Sequence, residues 1–576
     1  MPPKGPLLRF YVISSVFIGV LFIFIIKLSL IHIFHSQYLT KLALKQHNVY
    51  LELPAQRGII YDRNLKPLVV NVRSYSLFAV PKEIKNKKET AAVLSNILNL
   101  DRDFISKRIS SRKHFAWMAR KVSDKVVKDI KELNIDGLYF MKENRRSYPA
   151  GTLFSHAMGF TDIDSKGLEG IELFFNKYLE GKSGYAFFVR DAHQNALRLE
   201  NSDKLPVDGY DLVLTIDQVI QYIAEAALDD AFRKYHAKGA SIVVMDPNTG
   251  EILALANRPT FDPNNVQSVP AENRRNRAIC DFFEPGSVYK IVTAAAALEE
   301  KAFSEEDKIF CENGKYKVAN HILHDHRPHG WLTFSEVIQQ SSNIGVTKIA
   351  QQMGMEKVYS YSRVFGFGSL TGLTLPGETQ GMLKPLNAYS KTSIGAVPMG
   401  QEVGVTALQL VCAISVIANG GSYFKPYILK RIKDKYDETI EEFKPVCLRR
   451  VISDEASARL RKILAGVVEN GTGQMAKSKD YQFAGKTGTA QKIDHNGGYS
   501  HSTFYASFIG FAPAENSKLA IAVVVDEPHP YYYGGVVSAP VFKEVAEKSL
   551  KYLESEEKLN NVTILTRLDE TNSPRK

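Results

Sequence analysis

The chain has 576 residues, a formal net charge of +11, 44% hydrophobic residues, 23% charged residues and four cysteines. This length allows about three or four folding units, with cores large enough that stability does not depend on disulfides or metals. The 24 prolines and 38 glycines exclude a collagen-like or low-complexity chain, and the mean hydropathy of -0.17 excludes a polytopic membrane protein.

The first predicted element is a membrane anchor. Phe10 to Ile26 contains 17 residues without a charge, and the apolar character resumes after Lys27 as far as Phe34. A bilayer core of ~30 Å needs about 20 helical residues, so residues 10–34 are long enough to span it. The stretch has neither the polar face of a core helix nor the small-x-small site of a cleaved signal peptide. We therefore expect an uncleaved signal anchor, and the flanking charges slightly favour a cytoplasmic N-terminus.

The positive charge does not indicate nucleic-acid binding. Lysines and arginines are dispersed, and the modest concentration between Lys82 and Lys131 is mixed with acidic residues. A solvated surface is the favoured interpretation, with attraction to anionic lipid or wall polymer as the alternative. The cysteines form no C-x-x-C pair, which excludes a zinc ribbon and a redox motif. They are expected as buried apolar residues, and a Cys280–Cys311 bridge is the alternative outside the cytoplasm.

The remaining elements follow from hydrophobic periodicity and turn residues. We expect strands at 57–64, 67–70, 212–215, 240–245, 251–256, 506–511 and 519–525, and helices within 82–135 and at 167–179, 219–235, 288–299, 334–352 and 406–418. Asp217 is the expected N-cap of the helix that follows it, and the main domain boundary is placed near Pro206. Strands at both ends with helices between them predict an α/β (α+β) domain with one antiparallel sheet and a helical cluster.

The first motif that suggests chemistry is Ser287-Val-Tyr-Lys290, preceded by Glu284-Pro-Gly286. The Pro-Gly pair predicts a turn at a helix start, with Ser287 on the first helical turn and Lys290 on the same face. A serine hydroxyl is a weak nucleophile until a base removes its proton. A lysine serves as that base only if burial or a neighbouring positive charge lowers its pKa. Taken alone the motif is weak, because Ser-x-x-Lys occurs by chance in many helices.

The second motif is Ser341-Ser342-Asn343, which lies between two predicted helical runs. A hydroxyl and an amide two residues apart can both point into one cleft. The alternative is an ordinary helix N-cap, since serine and asparagine favour caps, and taken alone the cap is the favoured interpretation.

The third motif is Lys486-Thr487-Gly488-Thr489, which begins a predicted strand. Alternation places Lys486 and Gly488 on one side of the strand and the two threonines on the other. Such a strand can pair its backbone with an extended peptide, and the glycine allows a close approach. The lysine and the threonine hydroxyls suit a carboxylate terminus. The alternative is an ordinary edge strand.

In this order the three motifs match the Ser-x-x-Lys, Ser-x-Asn and Lys-Thr-Gly set of β-lactamases and penicillin-binding proteins. The whole chain resembles a class B penicillin-binding protein, most of all the cell-division (septal) branch. The further similarity lies in residues 57–63, 146–149, 167–172, 275–286 and 528–542. One departure is Leu65, which stands where the family usually has glycine, so the turn is expected to differ locally.

The resemblance implies acyl transfer on a peptide that ends in D-alanyl-D-alanine, with no metal and no cofactor. Ser287 would be the nucleophile and Lys290 its general base. Ser341 would relay a proton to the departing D-alanine, and Asn343 and Lys486 would hold Ser341.

The same resemblance assigns the substrate-binding groups. Thr487 and Thr489 would hold the terminal carboxylate, on either side of Gly488. The backbone N–H groups of Ser287 and Thr489 would form the oxyanion hole, a contribution of about 3–4 kcal/mol per donor.

The implied architecture is a penicillin-binding/β-lactamase-like transpeptidase domain preceded by an elongated mixed N-terminal pedestal and one transmembrane helix. The expected divisions are a cytoplasmic tail at 1–9, the anchor at 10–34, a dimerisation-type pedestal at 35–205, the transpeptidase domain at 206–550 and a polar, mobile tail at 551–576.

Because wall cross-linking takes place outside the cytoplasm, the resemblance implies an orientation that the charges leave open. The chain is expected to cross the inner (cytoplasmic) membrane once, with its catalytic domain in the periplasm. The implied partners are stem peptides, β-lactams as inhibitors, a membrane-embedded glycan polymerase and other division proteins. An elongation-type transpeptidase is the alternative. A β-lactam sensor, a scaffold and a β-lactamase are weaker candidates, because Ser287 and Lys290 are intact and the N-terminal module is large.

A separate histidine-rich segment, His321 to His329, holds four histidines and Asp325 in nine residues. The spacing would suit zinc, but the implied chemistry needs no metal, and Pro328 and Gly330 indicate an irregular loop. Solvent-facing or locally hydrogen-bonded histidines are favoured, with a metal site as the alternative.

Overall fold

The computed structural model describes residues 5–34, 38–39, 48–111, 115–190, 196–198, 204–494 and 497–572. The chain divides into two compact units. The first comprises Met1–Gln56 with Gly181–Gly209, and the second comprises Arg57–Glu180 with Tyr210–Lys576.

The helices in chain order are α1 Gly5–Phe34, α2 Lys87–Leu98, α3 Arg102–Ile109, α4 Asp124–Glu132, α5 Ser155–Met158, α6 Gly170–Phe174, α7 Asn176–Leu179, α8 Gln218–Lys234, α9 Arg277–Cys280, α10 Lys290–Glu299, α11 Phe334–Gln339, α12 Asn343–Met353, α13 Met355–Val364, α14 Ser393–Ala396, α15 Ala407–Ala418, α16 Asp454–Glu469 and α17 Gly534–Asn572.

The strands in chain order are β1 Asn48–Leu53, β2 Ile60–Tyr61, β3 Pro67–Ala79, β4 Ala116–Val122, β5 Leu138–Ser147, β6 Gly184–Arg190, β7 Ala196–Arg198, β8 Asp211–Leu214, β9 Gly239–Met245, β10 Ile252–Arg258, β11 Lys308–Phe310, β12 Lys315–Val318, β13 His321–His324, β14 Trp331–Thr333, β15 Met382–Leu383, β16 Val403–Gly404, β17 Ser422–Phe424, β18 Leu429–Lys433, β19 Thr439–Glu442, β20 Cys447–Arg450, β21 Ala484–Ile493, β22 Tyr499–Ala512 and β23 Leu519–Asp526.

The first unit consists of α1 and an antiparallel sheet in the order β1-β6-β7. Within α1, residues Leu7–Ile33 have a mean hydropathy of 2.6 and are not buried by the rest of the protein. Among the residues that the structure describes, this is the one helix whose length and composition suit a membrane span. It covers the predicted anchor.

The C-terminal part of the second unit contains an antiparallel five-stranded sheet in the order β10-β9-β23-β22-β21. Its central strands are apolar on both faces because both faces are covered. Ile242 and Val244 of β9 pack with α8 and α17, whereas Val243 and Met245 pack with the helical cluster that contains α10, α15 and α16. The predicted antiparallel sheet and helical cluster are confirmed, and Asp217 caps α8 through the amides of Val219 and Ile220.

A second, mixed sheet has the order β19-β18-β8-β2-β3-β4, and β5 pairs with β3. Its pairs are antiparallel except for β2–β8, which is parallel. Helices α2, α3 and α4 lie where short helices were predicted within residues 82–135. The same range also contains β4, which the prediction missed because charged residues interrupt its apolar pattern.

Three of the segments that carry the resemblance, residues 57–63, 146–149 and 167–172, meet at one buried carboxylate, Glu172. Arg57 Nε donates to Glu172 Oε2 at 2.7 Å, Arg146 Nε donates to Glu172 Oε1 at 2.7 Å, and the Tyr148 hydroxyl lies 3.3 Å from the same oxygen. Arg146 also donates to the carbonyl oxygen of Gly58 at 2.7 Å. Breaking a buried pair leaves an uncompensated charge, so this cluster fixes how the segments pack.

Three local features bear on what the sequence predicted. Leu65 adopts the left-handed region at φ 61°, which explains why glycine is usual at this turn. All four cysteines are free, so the alternative Cys280–Cys311 bridge is not formed, and Cys447 is exposed rather than buried. Within the predicted polar tail, the residues from 551 to Asn572 continue α17.

Candidate active site

The candidate nucleophile lies on a tight 3-10 turn, Gly286–Tyr289, that leads directly into α10. Gly286 has φ 58° and donates its N–H to the carbonyl oxygen of Gly400 at 3.1 Å, which anchors the start of the turn. Ser287 is half-buried, whereas Lys290, one turn later, is completely buried. The turn and helix agree with the prediction from the Pro-Gly pair and the apolar sequence that follows.

Lys290 donates to three oxygens of the second motif. Its Nζ lies 2.6 Å from the Ser341 carbonyl oxygen, 3.2 Å from Ser341 Oγ and 2.8 Å from Asn343 Oδ1. Burial lowers the pKa of Lys290 to about 7, an effect that the negative charge of Asp325 partly offsets. A lysine with this pKa is substantially neutral at physiological pH, as a general base requires.

The second motif combines both interpretations of its sequence. Ser342 is the N-cap of α12 and accepts the Gly345 N–H at 2.9 Å, whereas Ser341 and Asn343 contact Lys290. Ser341 has φ 60°, an uncommon conformation for a residue other than glycine. The cap therefore holds the turn while its neighbours supply the polar groups.

Asp325 is a site residue that sequence reasoning did not identify as such. Its carboxylate accepts hydrogen bonds from Ser342 Oγ at 2.7 Å and from the backbone N–H groups of Asn343 and Ile344 at 2.5 and 3.0 Å. These donors include the first amides of α12, where a negative charge is favoured. The only sequence signal was its position in the histidine-rich segment, which pointed toward a metal.

Part of the histidine-rich segment forms a strand and not an irregular loop. This strand is β13, which pairs with β12. The His324 carbonyl oxygen accepts the Asn343 side-chain N–H at 2.9 Å, and the His326 ring lies 5.1 Å from the Tyr533 ring. No group of three or more metal-ligating residues is suitably placed in the part of the chain that the structure describes.

The third motif lies on β21, an edge strand of the five-stranded sheet. Lys486 is completely buried and donates to Ser341 Oγ at 2.9 Å, so two lysines contact the same hydroxyl. Burial, and secondarily the charge of Lys290, hold the pKa of Lys486 well below its usual value.

The backbone of β21 packs closely against the serine turn. A Cβ atom on Gly488 would lie 2.9 Å from the Pro285 carbonyl oxygen and 2.3 Å from Ser507 Oγ, so no larger residue fits without movement. A Cβ on Gly286 would likewise lie 2.9 Å from the Thr489 carbonyl oxygen. Glycines thus bring the nucleophile's turn and the strand together.

The two threonines of the third motif have partners that the sequence did not predict. Thr487 Oγ1 is 2.7 Å from Thr472 Oγ1, and Thr489 Oγ1 accepts the Gly534 N–H at 3.1 Å. Gly534 lies in the segment 528–542 that carries part of the resemblance, whereas Thr472 lies outside every motif named from the sequence.

Comparison with known proteins agrees with this arrangement. Residues 240–547 match the penicillin-binding protein transpeptidase domain, and residues 52–214 match the penicillin-binding protein dimerisation domain. The chain belongs to the class B penicillin-binding proteins.

Relatives of this penicillin-binding protein span nearly the whole chain. It is 36% identical over 545 residues to stage V sporulation protein D of Bacillus subtilis, covering 93% of this chain and 84% of the relative. It is 34% identical over 502 residues to the peptidoglycan D,D-transpeptidase FtsI of Escherichia coli K12, covering 85% and 82%. It is also 34% identical over 508 residues to the probable peptidoglycan D,D-transpeptidase PenA of Neisseria gonorrhoeae, covering 87% and 85%.

Solved structures share the fold of this penicillin-binding protein. A peptidoglycan synthetase from Bifidobacterium adolescentis matches with a TM-score of 0.71 and 28% identity, covering 88% of this chain and 97% of that one. Penicillin-binding protein 3 from Mycobacterium tuberculosis, complexed with aztreonam, matches with a TM-score of 0.69, 28% identity and the same coverage.

Proposed function

We propose that this protein is a peptidoglycan D,D-transpeptidase that cross-links stem peptides through an acyl-serine intermediate on Ser287. One observation carries the proposal: Lys290 and Lys486, both completely buried, donate to the hydroxyl of Ser341 beside the turn that holds Ser287. Two buried lysines with lowered pKa values at one serine are costly for stability and suit proton transfer.

In the proposed acylation step, Ser287 Oγ attacks the carbonyl carbon of the penultimate D-alanine. Neutral Lys290 takes the serine proton, and the C–O bond forms as the C–N bond to the terminal D-alanine breaks. Ser341, which contacts both lysines, relays a proton to the departing amine. The amine of a neighbouring stem peptide then attacks the carbonyl carbon of the acyl-serine. The new C–N bond of the cross-link forms as the C–O ester bond to Ser287 breaks, and the proton lost by the amine returns through Lys290 to Ser287 Oγ.

Substrate binding is assigned to the edge of the sheet. An edge strand has free backbone groups on one side, so β21 can pair with an extended stem peptide. Thr487 and Thr489 would bind the terminal carboxylate, and Gly488 would let the serine turn lie close to the strand. The N–H groups of Ser287 and Thr489 would form the oxyanion hole, where one donor is worth roughly 3–4 kcal/mol.

The membrane position and the partners belong to the same proposal. Helix α1 would cross the inner membrane once, with residues 1–9 in the cytoplasm and the catalytic half in the periplasm, where the wall is built. The similarity to FtsI supports a septal role with a membrane-embedded glycan polymerase and other division proteins as partners. Depletion should give filamentous cells, whereas rounded cells would indicate the elongation alternative.

A direct test uses the full-length chain with a donor peptide ending in D-alanyl-D-alanine and a D-amino acid as acceptor. We expect release of D-alanine together with the new amide product, and neither with Ser287→Ala. Release of D-alanine without amide would indicate a carboxypeptidase. Rapid turnover of penicillin by the wild-type chain would indicate a β-lactamase.

A further inference from the structure

A cavity of about 300 Å³ lies where the loop that follows α13 meets the strand β20. Apolar side chains form much of its wall, namely Val364, Leu370, Tyr423 and Leu448. Tyr423 is buried, whereas Leu370 and Leu448 are 59% and 47% exposed. None of the candidate catalytic residues lines this cavity, and its volume is at the lower end of the ~300–1,000 Å³ that ligand pockets occupy.

Two arginines also line the cavity, which is called the arginine pocket below. Arg449 Nε donates to the Val364 carbonyl oxygen at 2.7 Å, and its guanidinium lies 4.2 Å from the centroid of the Tyr423 ring. Arg363 Nη1 donates to the Gly368 carbonyl oxygen at 2.9 Å. Because a guanidinium carries five N–H groups in a rigid fork, these bonds fix both side chains and leave donors for a ligand.

The charges at the arginine pocket are positive and unpaired. No aspartate or glutamate is among the residues that line it, and in the part of the chain that the structure describes Arg363 and Arg449 form no ion pair. Lys425, which lies against the same loop, forms none either. The carboxylate of Glu378 in this loop already accepts the N–H and the hydroxyl of Thr371, at 2.6 and 2.5 Å. The pocket therefore complements a negatively charged partner.

The strand β20 offers a backbone beside the pocket. It pairs with β17 on one side, and no described strand pairs with its other edge. Leu448 and Arg450 of β20 are exposed, and Arg450 is paired with Asp454 at 2.9 Å. A free edge can accept a peptide as an added strand, whose alternate side chains then enter pockets. This edge favours a polypeptide partner over an anionic lipid or a wall glycan, which have no backbone to pair.

We propose that the arginine pocket binds an acidic polypeptide segment that adds as a strand to the free edge of β20. An apolar side chain of the segment would fill the cavity, and a carboxylate beside it would bind Arg363 and Arg449. An arginine and a carboxylate can form two parallel hydrogen bonds, which fixes the register of the added strand. This docking goes beyond the proposed transpeptidation and uses none of its catalytic groups.

The test begins with a random peptide library displayed on phage and selected against the full-length chain in nanodiscs of zwitterionic lipid. We expect the selected peptides to share an acidic residue near an apolar one. A synthetic copy should bind the double variant Arg363→Gln/Arg449→Gln at least about tenfold more weakly than wild type, since glutamine keeps a donor for the carbonyl oxygens but no charge. The bound peptide should also slow hydrogen exchange of the amides in residues 446–450.

The matched control is Arg73→Gln/Arg145→Gln, which removes the same charge from two exposed arginines on β3 and β5. It should leave the affinity of the peptide unchanged. Thermal unfolding checks that each variant is folded. If the variant of the arginine pocket is not, Leu370→Glu/Leu448→Glu replaces it, because both leucines are exposed and the new charges would repel an acidic segment.

Failure to select a binder, or selected peptides without acidic residues, would overturn the proposal. So would equal weakening by the two arginine double variants, or peptide binding that neither pocket variant weakens. Unchanged hydrogen exchange in β20 would exclude strand addition. Binding of anionic-lipid vesicles that depends on Arg449, in place of peptide binding, would assign the pocket to a lipid headgroup and overturn the proposal as well.

Discussion

Replacing Asp325 by asparagine tests how the turn of the second motif is coupled to the proposed base. Asp325 accepts three hydrogen bonds, from Ser342 Oγ and from the amides of Asn343 and Ile344. Asparagine has the same shape and can keep both amide bonds through its carbonyl oxygen. The substitution therefore removes the charge with little change in geometry.

The loss of charge has two calculable effects. Charge-assisted hydrogen bonds contribute about 1 kcal/mol more than neutral ones, so the free energy of unfolding should fall by about 1–2 kcal/mol. Asp325 also raises the pKa of Lys290, which burial has lowered to about 7. A nearby opposite charge shifts a pKa by roughly 1–3 units. Since Asn343 lies between the two groups, bonded to both, we take the low end and expect the Lys290 pKa to fall by about one unit.

The assay is the second-order rate of acylation by a chromogenic β-lactam from pH 5 to 9. Neutral Lys290 is the active form, so the rate should rise with pH and reach half its maximum near pH 7 in the wild type. Because the charges of Lys290 and Lys486 interact, the midpoint reports the titration of the pair and not of Lys290 alone. Because Asp325 stabilises the charged form, its removal should move the midpoint to lower pH.

The matched control is Asp101→Asn, since Asp101 also accepts two backbone amides at a helix start, that of α3. It should lose a comparable amount of stability and leave the midpoint unchanged. A midpoint in Asp325→Asn that stays in place or moves to higher pH would refute the reasoning.

Three further substitutions test the packing arguments. Glu172→Gln leaves two buried guanidinium groups without a counter-ion, so urea unfolding should show a loss of roughly 3–5 kcal/mol; a loss under 1 kcal/mol would mean that the cluster is not structural. Leu65→Gly relieves a left-handed conformation at an exposed residue and should stabilise the chain by about 1 kcal/mol, whereas destabilisation would contradict the strain. Gly488→Ala places a methyl group 2.9 Å from the Pro285 carbonyl oxygen, so acylation should slow by roughly 100-fold; unchanged acylation would show that the strand position is not critical.

Local sequence patterns predicted many elements of this fold correctly. Continuous apolar runs bounded by turn residues placed β9, β10 and β23, an apolar helical run placed α15, and the Pro-Gly turn placed Ser287 at a helix start. The strand β4 was missed because its Arg120 and Lys121 look like surface helix residues, although Arg120 is paired on the sheet. The helical continuation of α17 was not predicted, because the polar composition of residues 551–576 was taken as a sign of mobility.

The candidate site was predictable as a set of motifs but not as a geometry. Each motif also has an ordinary structural explanation, such as a helix N-cap or an edge strand, and Ser342 does cap a helix. Their convergence depends on contacts across more than 50 residues, such as Lys290 with Ser341 and Lys486 with Ser341. Asp325 has no local signature of this role, because the role arises only when the end of β13 is placed beside the start of α12.

The central claim, an acyl-enzyme on Ser287, is tested most directly by mass spectrometry of the full-length chain after exposure to penicillin. The account predicts one added penicilloyl mass that persists for many minutes and maps to the peptide containing Ser287, with no adduct in Ser287→Ala. An adduct on another residue, or an undiminished adduct in Ser287→Ala, would contradict the account.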